Sequence, residues 1–205
     1  MGGAPCAGKS SIADLLASWY GLRVYHIDDV YAEDIGSISP EVQPCLYKWT
    51  HTHWEALWTQ PLDVLLYEAI SCYGEHFEFV IRDLVSLPKD EDILVEGNPI
   101  MPDLLAPFFK DRWRGIWIVP SDDFLRRTYP RRGPWVQEIV NQCQNPELCL
   151  NNWLDRDVAF AHWVRKNARN RDYEILTVGG RRTISENAVL AAAHFGLNNS
   201  SRGEI

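Results

Sequence analysis

The octet Gly3-Ala4-Pro5-Cys6-Ala7-Gly8-Lys9-Ser10, followed at once by an amphipathic stretch, constrains this chain more than any other feature. Its glycines permit a backbone turn that other residues disfavour, so amide N–H groups can point inward. Ser10 and Ser11 then open a segment in which Ile12, Leu15, Leu16 and Trp19 recur at helical spacing, and Gly21 is the expected stop. A glycine-rich loop running into a helix N-terminus gathers unpaired donors and partial positive charge, a combination that holds phosphate oxygens. With this spacing, the Walker A pattern, Lys9 would bridge the β- and γ-phosphates of a nucleoside triphosphate and the Ser10 hydroxyl would ligate Mg²⁺. Gly3, Ala4, Pro5, Cys6, Ala7, Gly8, Lys9, Ser10 and Ser11 are therefore the candidate nucleotide-binding segment. Against a plain glycine-rich lead-in stand the helix signal and the strand–helix alternation downstream.

That alternation is readable along most of the chain. Residues 22–27 are rich in β-formers and run into Asp28-Asp29, which reads as a strand with two carboxylates at its C-terminal edge. Residues 35–44 hold Gly36, Ser37, Ser39, Pro40 and Pro44 and read as a loop. From Pro61, one apolar face runs from Leu62 to Leu84 before Pro88, with Asp63, Glu68, Glu75, Glu78 and Asp83 expected on a solvated opposite face. Ile93-Leu94-Val95 and Ile116 to Val119 suit strands buried on both faces. Ser121 should cap a short helix ending near Tyr129-Pro130, Pro146 to Arg169 a long one, Tyr173 to Val178 the last strand, and Ser185 should cap a final helix ending at Gly196. Strands separated by helical connections imply an α/β fold with a parallel sheet and right-handed crossovers. One domain over 1–196 with a frayed tail at 197–205 is expected, for 205 residues.

Composition narrows the function classes. The net charge of −8 disfavours a broad grip on nucleic-acid backbones. No apolar run approaches the roughly 20 residues a bilayer crossing needs, and no signal peptide is evident, so no membrane partner and a cytoplasmic location are expected. Five widely spaced cysteines without a Cys-x-x-Cys pair indicate reduced thiols rather than a disulfide framework or a zinc ribbon. His51 and His53, two apart and without a nearby cysteine, do not make a zinc site. With Trp49, Trp54 and Trp58 beside them, they read as an aromatic patch that either contacts an acceptor or packs an insert.

The chain resembles the P-loop kinases of the adenylate-kinase-like and small-molecule-kinase type. The resemblance rests on the octet, on His26-Ile27-Asp28-Asp29, on Ile93 to Gly97, on the arginine-rich segment at 126–132, and on a last strand running into Gly-Gly-Arg; only the octet is specific. It implies a three-layer P-loop NTPase fold with sheet order 2-3-1-4-5, ATP held over the first helix, a helical acceptor-binding insert after strand 2 (about 40–88), and an arginine-rich lid (about 126–134). It implies that Asp28 or Asp29 accepts the proton of an attacking hydroxyl or orders the magnesium shell, with Asp28 favoured, and that Glu96 is a magnesium residue resembling a Walker B acid or a structural strand-end carboxylate. Arg126, Arg127, Arg131 and Arg132 place four guanidiniums in seven residues of an acidic chain, suited to neutralising a transferring phosphoryl group, though pairing with Asp122, Asp123 and Glu138 is the plainer reading. Arg126 would contact the nucleotide, and Lys9, Arg127, Arg131 and Arg132 the transition state.

The expected activity is ATP- and Mg²⁺-dependent phosphoryl transfer to the hydroxyl or phosphate of a small metabolite. The alternatives are a nucleotide-binding regulator without an acceptor, whose insert and nine Trp would serve a protein partner or a second copy, and a truncated inactive form. The last arises because only Met1 and Gly2 precede Gly3, so the sheet is expected to lack its first, central strand and to leave unpaired edges at Ile93–Val95 and Ile116–Val119.

Overall fold

A computed structural model describes residues 1–109 and 111–197. In chain order its elements are β1 (Gly2–Gly3), α1 (Lys9–Tyr20), β2 (Arg23–His26), α2 (Ile27–Gly36), α3 (Pro44–His51), α4 (Trp54–Trp58), α5 (Leu62–Ser86), β3 (Ile93–Glu96) and α6 (Pro102–Leu105). Then come β4 (Ile116–Pro120), α7 (Asp122–Thr128), α8 (Pro134–Val140), α9 (Pro146–Arg169), β5 (Glu174–Val178) and α10 (Ile184–His194). The fold is α/β, mostly helical, around short parallel strands. None of the described helices is long and apolar enough to cross a membrane.

All strand pairs are parallel: β2 lies beside β3, and β1, β4 and β5 are neighbours in that order. Met1 joins the two groups. Its amine donates to Val95 O at 2.6 Å and its carbonyl accepts from Gly97 N at 3.3 Å. Gly2 and Gly3 pair with Trp117 and Ile118. The expectation that the first strand is lacking is thus corrected in part: a three-residue segment, Met1 to Gly3, occupies the slot between β3 and β4. The corner beside it stays open as an apolar cavity of about 450 Å³ reaching Met1, Ile93, Leu94 and Phe109.

Side-chain alternation in β4 divides the core. Ile116 and Ile118 face a cluster built with Ile12 and Leu16 of α1 and Ala188 and Ala191 of α10. Trp117 and Val119 face Phe77 and Val80 of α5 and Phe160 and Val164 of α9. This is the period-two pattern of a strand covered on both faces, which is why β4 is buried throughout. A third cluster, including Trp58, Leu125, Tyr129, Val136 and Trp153, ties α4 and α8 to α9.

Several local expectations change. Asp28 and Asp29 sit in the first turn of α2, not at a strand edge, because β2 ends at His26 and a helix begins there; carboxylates favour that end of a helix dipole. On the acidic face of α5, Asp63 and Glu78 are exposed as expected, but the other three carboxylates are engaged. Glu68 is buried and paired with Lys48, and Glu75 accepts from the amides of Cys45 and Leu46 at 3.0 and 2.8 Å. Asp83 accepts from Tyr25 Oη at 2.7 Å. These carboxylates hold α3 and β2 against α5, long-range partners that helical periodicity does not reveal. The last helix is capped by Thr183 rather than Ser185, in a reciprocal arrangement with Glu186. Leu197, expected in the frayed tail, donates to Ala192 O at 2.9 Å and packs on the core; the rest of that tail, from residue 198, lies outside the described residues.

Candidate functional site

The loop between β1 and α1 is built by close approach. A Cβ on Gly3 would lie 1.9 Å from Ile118 O, so only glycine lets β1 press against β4 there. Ala4 N donates to Ile118 O at 3.2 Å, fixing where the loop leaves the sheet. Gly8 takes the left-handed conformation at φ 75° just before α1, and Cys6 does the same at φ 62°. Among the described residues the amides of Cys6, Ala7 and Gly8 find no backbone acceptor. They stand at the positive end of α1, on the wall of a cavity of about 270 Å³.

That cavity is lined by the loop and helix start from Pro5 to Ser11, and by Asp28, Glu96, Asn98, Thr128 and Arg132. Gly3 and Ala4 are not on its wall; they seat the loop from below. Lys9 is buried, and its Nζ donates to Ala4 O at 3.1 Å and to Asn98 Oδ1 at 2.8 Å. Burial pushes its pKa down, opposed by the carboxylates of Glu96 and Asp28. Asn98 is oriented by its other end, where Nδ2 donates to Tyr73 Oη at 3.2 Å. An ammonium held this way is desolvated in advance and has few competing partners, so an incoming anion meets it at low reorganisation cost.

Glu96 is buried at the end of β3 with Oε1 2.8 Å from His26 Nδ1, while His26 Nε2 lies 3.1 Å from Asp14. Burial disfavours the imidazolium, but the hydrogen bond and charge of Glu96, with Asp14 and Asp29, raise the His26 pKa overall. One Glu96 oxygen is therefore engaged by His26. Among the described residues no three His, Cys, Asp or Glu side chains form a metal cage. The Ser10 hydroxyl and the Glu96 carboxylate, which line the same cavity, fit an ion that keeps most of its waters and borrows phosphate oxygens, as Mg²⁺ does, and do not fit an all-protein cage.

Of the four clustered arginines, only Arg132 lines this cavity. Its guanidinium packs over Tyr129 and Trp135, 5.5 and 5.4 Å from the ring centroids. Arg126 is paired with Asp155, Arg127 donates to Asp123 O at 3.2 Å and lines a separate cavity with Arg181 and Arg182, and Arg131 is exposed. The four diverge because α7 ends at Thr128 and a 3₁₀ turn at Tyr129–Arg131 redirects the chain. Arg165 donates to Pro120 O at 3.2 Å and, with Arg169, lines another depression.

Asp28 lines both this cavity and a second one of about 290 Å³, walled mainly by aromatic rings, whereas Asp29 lines neither. Trp49, Trp54 and Trp58 all belong to that second wall, joined by Trp153 and Arg156 from α9. His51 stacks on Tyr47 and His53 caps α4 by accepting from Glu55 N, so both have local duties. Sequence reasoning missed Asn98, although it follows the strand-end Glu96-Gly97 that was singled out. It also missed Thr128, Trp153 and Arg156, which read as ordinary helix residues.

No protein-family model matches the chain, and no curated protein is significantly similar to it.

Proposed function

We propose that the chain has the P-loop NTPase fold and is an ATP- and Mg²⁺-dependent kinase that transfers the γ-phosphoryl group to the hydroxyl or phosphate of a small metabolite. The observation that carries the reading is a single wall of donors: unpartnered amides at the start of α1, the Lys9 ammonium and the Arg132 guanidinium around one cavity, with Asp28 leading from it into a second. The first cavity is suited to polyphosphate and the second is separate enough to hold an acceptor. The adjacency of β3, Met1 to Gly3, β4 and β5 supports the fold assignment, since it sets the loop at the C-terminal ends of parallel strands, where ligands of such sheets bind.

In this reading the loop amides and Lys9 bind the β- and γ-phosphates, and Arg132 neutralises charge on the transferring group. Ser10 would hold Mg²⁺, with Glu96, fixed by His26, on the same cavity to order its shell; the ion supplies charge neutralisation when bound. Asp28 and Asn98 line both cavities, and of the two only Asp28 can accept a proton, so it takes the acceptor's. Arg126, Arg127 and Arg131 have no part in it.

The test is incubation with Mg²⁺ and ATP and a fractionated pool of small metabolites, following ADP formation and the acquired phosphoryl group by mass spectrometry. Acceptor-dependent ADP formation, lost in Lys9→Met, is expected. Tight ATP binding without any acceptor-dependent turnover would overturn the kinase reading in favour of a nucleotide-bound regulator.

A further inference from the structure

The second cavity differs from the first in a way that bears on what it admits. Its wall carries Trp49, Trp54, Trp58, Trp135, Trp153 and Tyr73. Trp58 and Trp153 stack on each other at 4.5 Å and Trp49 meets Trp58 edge-on at 5.2 Å, so these rings form a rigid bed. Trp49, Trp54 and Trp135 retain exposed surface around it. A volume of about 290 Å³ accommodates one ring system with its substituents. Flat aromatic walls reward a flat ligand, because offset stacking adds to the area buried.

Charge separates the two cavities further. Among the described residues Arg156 is the one Lys or Arg on the second wall. Its Nε lies 2.6 Å from the buried Asp157 Oδ1, and its guanidinium covers Trp49 and Trp58, 5.4 and 5.0 Å from their centroids. That cation is already neutralised and sheltered. His76, also on this wall, is buried against Asp34 at 3.0 Å, and Arg82 contacts the same carboxylate. Asp28, at the junction, has no ion-pair or hydrogen-bond partner among the described residues. A phosphate brought into this cavity would meet a carboxylate and no free cation, while the first cavity offers Lys9 and Arg132.

We propose that the acceptor is a neutral, flat-ringed alcohol carrying no phosphate of its own, with its ring against Trp49, Trp54 and Trp135 and its hydroxyl presented to Asp28. This rests on the kinase reading and narrows it to hydroxyl acceptors. The acceptor oxygen forms a bond to the γ-phosphorus as the bond from that phosphorus to the β–γ bridging oxygen breaks. ADP leaves with the electron pair, and the hydroxyl proton passes to the Asp28 carboxylate.

The experiment uses four probes: uridine, uridine 5′-monophosphate, 2-phenylethanol and glycerol. Binding is read without nucleotide from tryptophan fluorescence, and phosphorylated product by mass spectrometry with Mg²⁺ and ATP. The expected result is a saturable fluorescence change with uridine or 2-phenylethanol, binding of the monophosphate weaker by about tenfold or more, no response to glycerol, and product from the ring alcohols alone. Trp54→Ala, at a partly exposed position away from Arg132, should weaken ring binding about tenfold and leave ATP affinity unchanged. Preference for the monophosphate or for glycerol, or no response to either ring alcohol, would overturn the acceptor class whatever the protein does with ATP. Ring-alcohol binding without transfer to any probe would uphold the pocket's selectivity and overturn the kinase reading beneath it.

Discussion

Gly3→Ala probes the contact on which the loop depends. The added Cβ would lie 1.9 Å from Ile118 O and under 3 Å from Ile118 C and N, all backbone atoms of β4, so no side chain can swing aside. Gly3 also has φ 141°, a conformation that costs any L-residue about 1–3 kcal/mol. Overpacking adds about 1–3 kcal/mol, and separating the strands loses the bond from Ala4 N to Ile118 O, worth about 0.5–1.5 kcal/mol. The expected destabilisation is therefore about 3–7 kcal/mol. At roughly 2–4 °C per kcal/mol for a chain of this size, Tm should fall by roughly 6–28 °C. Gly74→Ala is the control. Gly74 lies inside α5 with nothing within 4 Å of an added Cβ, so alanine there should be neutral or stabilise by up to about 1 kcal/mol. Differential scanning calorimetry of both variants checks the argument. A Gly3→Ala protein melting within about 2 °C of the wild type would show that Met1 to Gly3 does not fill the slot beside β4.

Other perturbations address the site. Asp28→Asn should lower kcat by about 10² to 10⁴ with ATP affinity nearly intact, whereas Asp29→Asn, which lines neither cavity, should do little; steady-state kinetics decide, and a larger effect at Asp29 would reverse the assignment. Arg132→Ala should slow transfer by about 10² or more, while Arg131→Ala leaves it unchanged, and equal effects would return the whole arginine segment to a shared role. His26 has a raised pKa when folded, so the stability it contributes through Glu96 and Asp14 is fully present below its ordinary value of about 6.5 and is lost as pH rises through the raised one. The difference in unfolding free energy between wild type and His26→Gln, from urea titrations, should shrink as pH rises above about 6.5, and a difference constant with pH would contradict the ion pair.

Local signals carried much of the fold. Helix α9 runs from Pro146 to Arg169, the span that its N-terminal proline and apolar spacing mark, and α5 begins after Pro61 and ends just short of Pro88. Ser121 caps α7 as its position before two aspartates suggests. What failed was nonlocal. Glu68, Glu75 and Asp83 look like a solvated face because periodicity cannot see that α3 and β2 bring partners to them. Four arginines in seven residues look like one cluster because sequence spacing does not show the turn after Thr128 that sends them apart. The glycine-rich turn before α1 was legible because it lies in eight consecutive residues. The aromatic cavity was legible only at Trp49, Trp54 and Trp58, since Trp153 and Arg156 arrive from a helix about 100 positions on.

Titration calorimetry with ATP and Mg²⁺ reads whether the loop from Gly3 to Ser10 holds nucleoside triphosphate. Lys9→Met removes the ammonium that bonds Ala4 O and Asn98 Oδ1 at the cavity wall, a charge-assisted phosphate contact worth about 1.5–3 kcal/mol once a ligand is bound. The wild type should bind ATP saturably with one site per chain, and folded Lys9→Met should bind it about tenfold to a hundredfold more weakly. No saturable binding by the wild type, or equal affinity in the two proteins, would show that the loop and Lys9 do not hold the nucleotide.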